Sequence, residues 1–327
     1  MTYSVGGLIQ ATDYNGFVSS TSGANVNATW SQGVASAGWG QTALSTVSAG
    51  GTVTATQWAS LVNTLSAMGS QTGTTITSRT APTAGQTISV LAAVNTDLTN
   101  CYNNRGNAAA SGTQYGTFTG AVSKTTATSN GSQGTWTITF THTITFPSAD
   151  QARYFFNAGG IVKLQFGKSV NSTDLDGDWN TLAGWCGSIN ITGTAQTIAG
   201  QAYTGTTRLG GSGGTQTTLQ TGTGWYALNS TPQTIFQLNN SGGAYTGQFI
   251  RTQASSSATT MTLTTTWFQP AVSGAGQTTN ISGGTATNSP STTITGTAPT
   301  VLVTYIPPST NFLSNTWGTP TIAASVA

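Results

Sequence analysis

The sequence predicts an α+β protein, with a small helical N-terminal region followed by a mainly antiparallel β-sandwich. Three observations carry that prediction. Apolar residues in the first hundred positions recur at spacings of three and four, the period of helices with one buried face. From Thr113 onward hydrophobes alternate with threonine at period two, which puts each set on its own side of a strand. Clusters of glycine, serine and asparagine break these alternating runs at short intervals, as the turns of an antiparallel sandwich do. The expected division is 1–107, an α-rich docking or oligomerisation region, and 108–327, the β-sandwich body. A Gly/Ser/Thr-rich arm is expected near 270–298.

Taken in order, residues 12–20 form a short helix with Tyr14, Phe17 and Val18 on one side. Thr54-Ala-Thr-Gln57 is a capping-box pattern, since the Thr54 hydroxyl can reach the amide three residues on. Trp58, Leu61, Val62, Leu65 and Met68 then make an apolar stripe, and Gly69 is expected to stop the helix. A further helix spans 87–104, with Leu91, Val94, Leu98, Cys101 and Tyr102 as its stripe and Gly106 after it. Three short helices enclose little core, so their faces pack either within their own region or against neighbouring copies.

The centre of the chain is the run 135–146. Trp136, Ile138, Phe140, His142, Ile144 and Phe146 take every second position, and threonine takes every position between them. Burying the five large apolar side chains at about 2 kcal/mol each is a gross ~10 kcal/mol. The strand therefore needs a second layer. Residues 153–156 are expected to be a second strand, 157–160 its turn, and 161–166 the return, with Val162, Leu164 and Phe166 on one side. These three segments are expected to share one sheet. Further on, 233–238 leads into Asn239-Asn-Ser-Gly-Gly, a hairpin turn signal, and the chain returns through 245–251. Met261, Leu263, Thr265 and Trp267 alternate, as do Val301, Val303 and Tyr305, before Pro307-Pro308 ends that strand.

Composition narrows the function classes. Only 4% of the residues are charged, against roughly 25% in ordinary globular proteins. The acids are all aspartate: Asp13, Asp97, Asp150, Asp174, Asp176 and Asp178. Nine Trp, nine Tyr and eleven Phe argue for a folded body rather than a disordered one. A net charge of +2 without any Lys/Arg cluster excludes a strong nucleic-acid footprint. No stretch is long and apolar enough to span a bilayer, and the first residues do not resemble a secretory signal. Cys101 and Cys186 read as two small buried thiols, with a disulfide between them left open.

Two stretches carry a resemblance. The first is Ala11-Thr-Asp-Tyr-Asn, then Gly38-Trp-Gly-Gln-Thr42, then Val53-Thr-Ala-Thr-Gln-Trp58. The second is Ala152-Arg-Tyr-Phe-Phe-Asn-Ala-Gly-Gly160, followed by Asp178-Trp179-Asn180. Their order is similar to that in virion structural proteins of tailed bacteriophages, in particular marine and cyanobacterial phages. Trp39 stands where that group usually has tyrosine. The resemblance implies a tail, neck or fibre component. It also fits a chain made without a secretory signal yet composed like a protein exposed to the outside.

Candidate chemistry is sparse. Asp174, Asp176 and Asp178 place carboxylates at every second position, which in a loop can converge on a hard cation such as Ca²⁺. The spacing departs from the EF-hand, because the glycine comes early and position twelve is Trp185. The competing reading is that Asp176 or Asp178 caps a helix through Trp179, Leu182 and Trp185. His142 is the only histidine. It reads as a core residue of its strand, or as one of three copies meeting around an ion on a threefold axis. Nucleophilic catalysis lacks a base, and few carboxylate pairs are available for glycoside hydrolysis, so no catalytic residue is assigned. Trp225, Tyr226 and Trp317 are candidates for stacking on sugars, or else aromatics of the core or of a subunit contact.

The expected function is a non-enzymatic virion structural protein, a tail, neck or fibre part acting in assembly and host-surface attachment. The alternatives are a capsid decoration protein and a carbohydrate-binding or carbohydrate-cleaving module. Expected partners are further copies of the chain, as a trimer or higher homo-oligomer, other virion proteins and a host surface glycan. No cofactor beyond that Ca²⁺ is expected.

Overall fold

The computed structural model describes residues 10–19, 24–31, 37–84, 91–108, 122–123, 135–169, 174–241, 246–270, 277–281, 284–288 and 298–327. Four helices come first: α1 (Ala11–Val18), α2 (Val26–Trp30), α3 (Ala55–Thr72) and α4 (Leu91–Asn103). The predicted capping box opens α3. Thr54 Oγ1 accepts from the Gln57 amide at 3.2 Å, and Gln57 Oε1 accepts from the Thr54 amide at 2.9 Å. Gly69 does not end this helix. It lies inside, where its bare Cα lets Ile76 and Thr74 approach, and the chain turns off at Gly73 in the left-handed conformation, φ 64°. Val94, Leu98 and Cys101 form the buried face of α4, while the side chain of Leu91 lies outside the described residues.

The rest of the chain is mixed. In order it holds β1 (Asn107–Ala108), β2 (Val122–Ser123), β3 (Trp136–Thr145), α5 (Ala149–Asn157), β4 (Ile161–Gly167), α6 (Asp174–Cys186), β5 (Ser188–Ile198), β6 (Gln201–Leu209), β7 (Thr215–Leu219), β8 (Gln233–Asn239), β9 (Phe249–Ser256), β10 (Thr260–Gln269), β11 (Gln277–Ile281), β12 (Gly284–Asn288), β13 (Thr300–Ile306) and β14 (Thr321–Val326). One sheet has β6 along one edge of β5, with β4 and β1 sharing the other edge, then β13 and β2. The second sheet runs β14-β3-β10-β9-β8-β7. Every pairing is antiparallel except β1 with β5. The architecture is therefore α+β with two mainly antiparallel sheets.

The central zigzag behaves as its pattern dictates. Along β3 buried and half-buried residues alternate, and Trp136, Ile138, Phe140, His142, Ile144 and Phe146 are all at most 1% exposed. Across to β10, Ile144 faces Met261 and Ile138 faces Trp267, while Thr139, Thr141 and Thr143 face Thr266, Thr264 and Thr262 on the other side. The second layer over this strand is helical. Trp179 of α6 lies between Trp136 and Trp267, with ring centroids 5.2 Å from each.

Residues 153–156 are a correction. They are helical, within α5, and not a strand. Ser148 caps the helix by accepting from the Gln151 amide at 3.2 Å, and Asp150 sits in the first turn, where the helix dipole favours it. Ser148-x-x-Gln151 is the same spacing as Thr54-x-x-Gln57, so the signal was in the sequence. It is easily passed over because Tyr154, Phe155 and Phe156 are three consecutive buried aromatics, a residue type common in strands. Consequently β3 and β4 do not share a sheet: β3 lies in the second sheet and β4 in the first.

The hairpin β8–β9 forms as expected, but its return strand begins at Phe249 rather than near Tyr245. Within the Gly/Ser/Thr-rich arm, the described residues make a small hairpin, β11 with β12; 271–276, 282–283 and 289–297 lie outside the described residues. The 107/108 division is not a division of packing. One buried cluster runs from Tyr14, Trp39 and Leu65 through Phe155, Trp179 and Val303.

Candidate functional site

The helical region and the sheets meet at the C-terminal end of α5. A helix leaves its last carbonyls without partners inside the helix. Here three side chains from three other parts of the chain supply them. Gln196 Nε2 donates to Phe156 O at 2.7 Å, Trp39 Nε1 to Asn157 O at 3.2 Å, and Gln71 Nε2 to Ala158 O at 3.2 Å. These come from β5, from the 38–42 turn and from α3.

The 38–42 turn is built for this place. Gly40 takes φ +72°, and a Cβ there would stand 2.4 Å from the Tyr154 ring, so only glycine fits. Gln41 reaches the other way. It accepts from the Ser314 amide at 2.9 Å and donates to Ser314 O at 2.9 Å, while Thr316 donates to Trp39 O at 2.7 Å. The two stretches that carried the phage resemblance thus touch one another, joined also by Asn157 Nδ2 to Gly38 O at 3.0 Å.

A cavity of about 280 Å³ opens at this seam. Its walls include Asn103, Arg105, Gly106, Asn157, Thr194 and Gln196. Thr194 belongs to a bulge in β5, where residues 192–194 stand opposite Gly205 alone. Arg105 is held over the Tyr102 ring, 4.0 Å from its centroid, and donates to Tyr102 O at 2.6 Å. Gln196 is 6% exposed, and its Oε1 is buried without a hydrogen-bond partner among the described residues.

Tyr226 stands beside the cavity. It is 44% exposed, with its hydroxyl end turned inward to donate to Asn157 Oδ1 at 2.6 Å. Burial of that end pushes the phenol pKa up, opposed by Arg153. Its ring lies against Gly193, where an added Cβ would be 3.0 Å from it.

The other two aromatic candidates do not share that exposure. Trp225 stacks on Phe156 at 5.1 Å and Trp317 is 1% exposed. Both are core residues, Trp225 as part of the aromatic layer around α5. The structure does not bring them to one site with Tyr226's free face.

Asp174, Asp176 and Asp178 lie in the first turns of α6. This corrects the expectation of a loop, since all three positions fall within a helix. The side chains of Asp174 and Asp176 lie outside the described residues. Asp178 Oδ2 accepts from Asn240 at 3.4 Å, the end of an amide chain running through Gln248 to Gln269. Among the described residues no three His, Cys, Asp or Glu side chains group as a metal site would.

His142 is fully buried in the middle of β3, flanked in register by Leu263 and Ala324. Cys101 and Cys186 are both free and buried. Among the described residues no helix is long and apolar enough to cross a membrane. Sequence reasoning missed Asn103, Arg105, Asn157, Thr194 and Gln196. Only the turn at 157–160 hinted at them, since the cavity forms from segments far apart in the chain. Comparison with protein-family models, with curated proteins and with solved structures found no match.

Proposed function

We propose that this chain is a non-enzymatic structural component of a tailed-bacteriophage particle, assembled as a homo-oligomer into a tail, neck or fibre. The observation that carries the reading is the outer edge of β14. Ala327 and Thr139 exchange both backbone hydrogen bonds at 2.9 Å. By alternation, residues 321, 323 and 325 turn their amides toward β3, while Ile322, Ala324 and Val326 turn theirs outward.

Among the described residues no strand pairs with that outward side. Edges are usually blunted by lysine, proline or a bulge. β14 has none of these, and Ala323, Ala324 and Ser325 are exposed. Such an edge suits pairing with a second copy of the same chain. The scarcity of charge supports this, because little electrostatic repulsion separates identical copies.

Among the described residues, several groups that chemistry would draw on are engaged elsewhere. Asp97 pairs with Arg79 at 2.5 Å, Asp150 pairs with Arg153 at 2.9 Å, and His142 and both thiols are buried in the core. This supports work by assembly rather than by catalysis.

Sedimentation at micromolar concentration tests the reading. The expected result is a stable trimer or higher oligomer for the wild type. Ala324→Pro removes an outward amide without touching the β3 ladder, and is expected to give smaller species of unchanged fold. A well-folded wild-type monomer would overturn the proposal. Imaging of particles labelled at residue 327 separates the placements, since label over the head lattice would favour a capsid decoration protein.

A further inference from the structure

We propose that the seam cavity beside Tyr226 binds a single acidic sugar ring, one bearing hydroxyls and a carboxylate. Four features converge there. The cavity, about 280 Å³, lies just below the range for drug-sized ligand sites, roughly 300–1,000 Å³. That size suits one ring rather than an extended chain.

Its walls are polar but nearly uncharged. Thr194 and Asn103 are exposed, and their side chains make no hydrogen bond to the described residues. Gln196 spends its Nε2 on Phe156 O, and its Oε1 is buried and lacks a donor among the described residues. Buried acceptors of this kind are uncommon and mark places where a further polar group belongs. Hydroxyl-rich ligands supply such groups in number.

Among the described residues of the lining, Arg105 is the only charged one, and no carboxylate stands with it there. Its guanidinium is held by the Tyr102 ring and carbonyl, so its remaining N–H groups are already oriented. A planar guanidinium matches a carboxylate better than a hydroxyl. That selects an acidic sugar over a neutral one.

Tyr226 adds a fixed aromatic face next to the opening, locked by its hydroxyl on Asn157 and its ring on Gly193. A sugar presents an apolar C–H face as well as hydroxyls, and a rigid aromatic receives that face at little entropic cost. The walls are preset too, since Gln196 is tied to the Phe156 carbonyl of α5 and Asn157 to the Gly38 carbonyl. This inference does not depend on the assembly role, as sedimentation and sugar binding can each succeed or fail alone.

The experiment is calorimetric titration of the full chain with glucuronic acid, glucose and inorganic phosphate, backed by saturation-transfer NMR. Glucuronic acid is expected to saturate with a dissociation constant on the order of 1 mM, and glucose to bind more weakly. Thr194→Phe, at an exposed bulge position, is expected to abolish binding while leaving the circular dichroism and melting temperature unchanged. Arg105→Gln is expected to bring glucuronic acid down to the level of glucose. Tyr226→Phe keeps the ring but loses its lock on Asn157 and is expected to weaken binding less than Tyr226→Ala, which loses at least fivefold. Absence of saturation by either sugar overturns the proposal, as does wild-type affinity in both Thr194→Phe and Arg105→Gln. Phosphate binding as tightly as glucuronic acid overturns the sugar assignment and makes this a simple anion site.

Discussion

Trp39 and Asn157 hold each other across 118 residues of chain. The Trp39 indole donates to the Asn157 carbonyl at 3.2 Å, and the Asn157 amide donates back to the carbonyl of Gly38 at 3.0 Å. This double contact ties the helical region to the end of α5 and so fixes one wall of the cavity.

The tie is expected to be costly to break. Asn157→Ala leaves the carbonyl of Gly38 and the hydroxyl of Tyr226 without that partner, and should cost about 1–3 kcal/mol. Gly40→Ala combines a left-handed backbone with a clash on Tyr154, and should cost about 2 kcal/mol or more. Urea unfolding measures both. A neutral Gly40→Ala would show that the turn does not sit on α5 as described.

Trp179 is the second joint. It fills the space between Trp136 and Trp267 and is fully buried. Trp179→Ala is expected to lower stability by about 3–5 kcal/mol, as truncations of large buried aromatics do. A loss below about 1 kcal/mol would mean that α6 does not form the layer over β3.

Whether 149–157 is a helix or a strand has its own test. Ser148 serves only as a helix cap, so Ser148→Ala is expected to cost about 1 kcal/mol. In a strand the same change would be close to neutral. Thermal and urea denaturation of the single variant decide between the two.

The thiols give a pH prediction. Burial, and then the nearby Asp97 charge, push Cys101 up to about 11 from 9.0, with Thr72 opposing. Burial raises Cys186 as well, with Arg208 opposing. A raised folded-state pKa means that the folded protein holds the proton more tightly than the unfolded one. The stability this contributes is full below about pH 9 and is lost as pH climbs toward 11. Urea midpoints should therefore fall between pH 8 and pH 10, and fall less in Cys101→Ala. At pH 8 both thiols should react slowly with a disulfide reagent until the chain is unfolded; rapid labelling in native buffer would contradict their burial.

Much of the local structure was legible in the residues themselves. The zigzag from Trp136 to Phe146, the alternation in β10 and β13, and the Thr54–Gln57 box each encode an element through interactions a few positions apart. The aromatic triplet Tyr154-Phe155-Phe156 misled for a physical reason. α5 is wrapped by Tyr305 on one side and by Phe146 and Trp225 on another, so three consecutive large aromatics are buried on one short helix and mimic the apolar run of a strand. The same wrapping put Trp225 in the interior rather than at a surface site.

By itself, then, the sequence determined the fold class, the faces of the zigzag strands and the Thr54 helix cap, because periodicity and capping are short-range energies. The tertiary structure alone decided that β3 and β4 join different sheets and that the 38–42 turn closes on Asn157. It alone decided that Gln196, Thr194 and Arg105 share a cavity wall. Those outcomes depend on which surfaces meet after long loops close, and pairing at that distance leaves no local pattern in the chain.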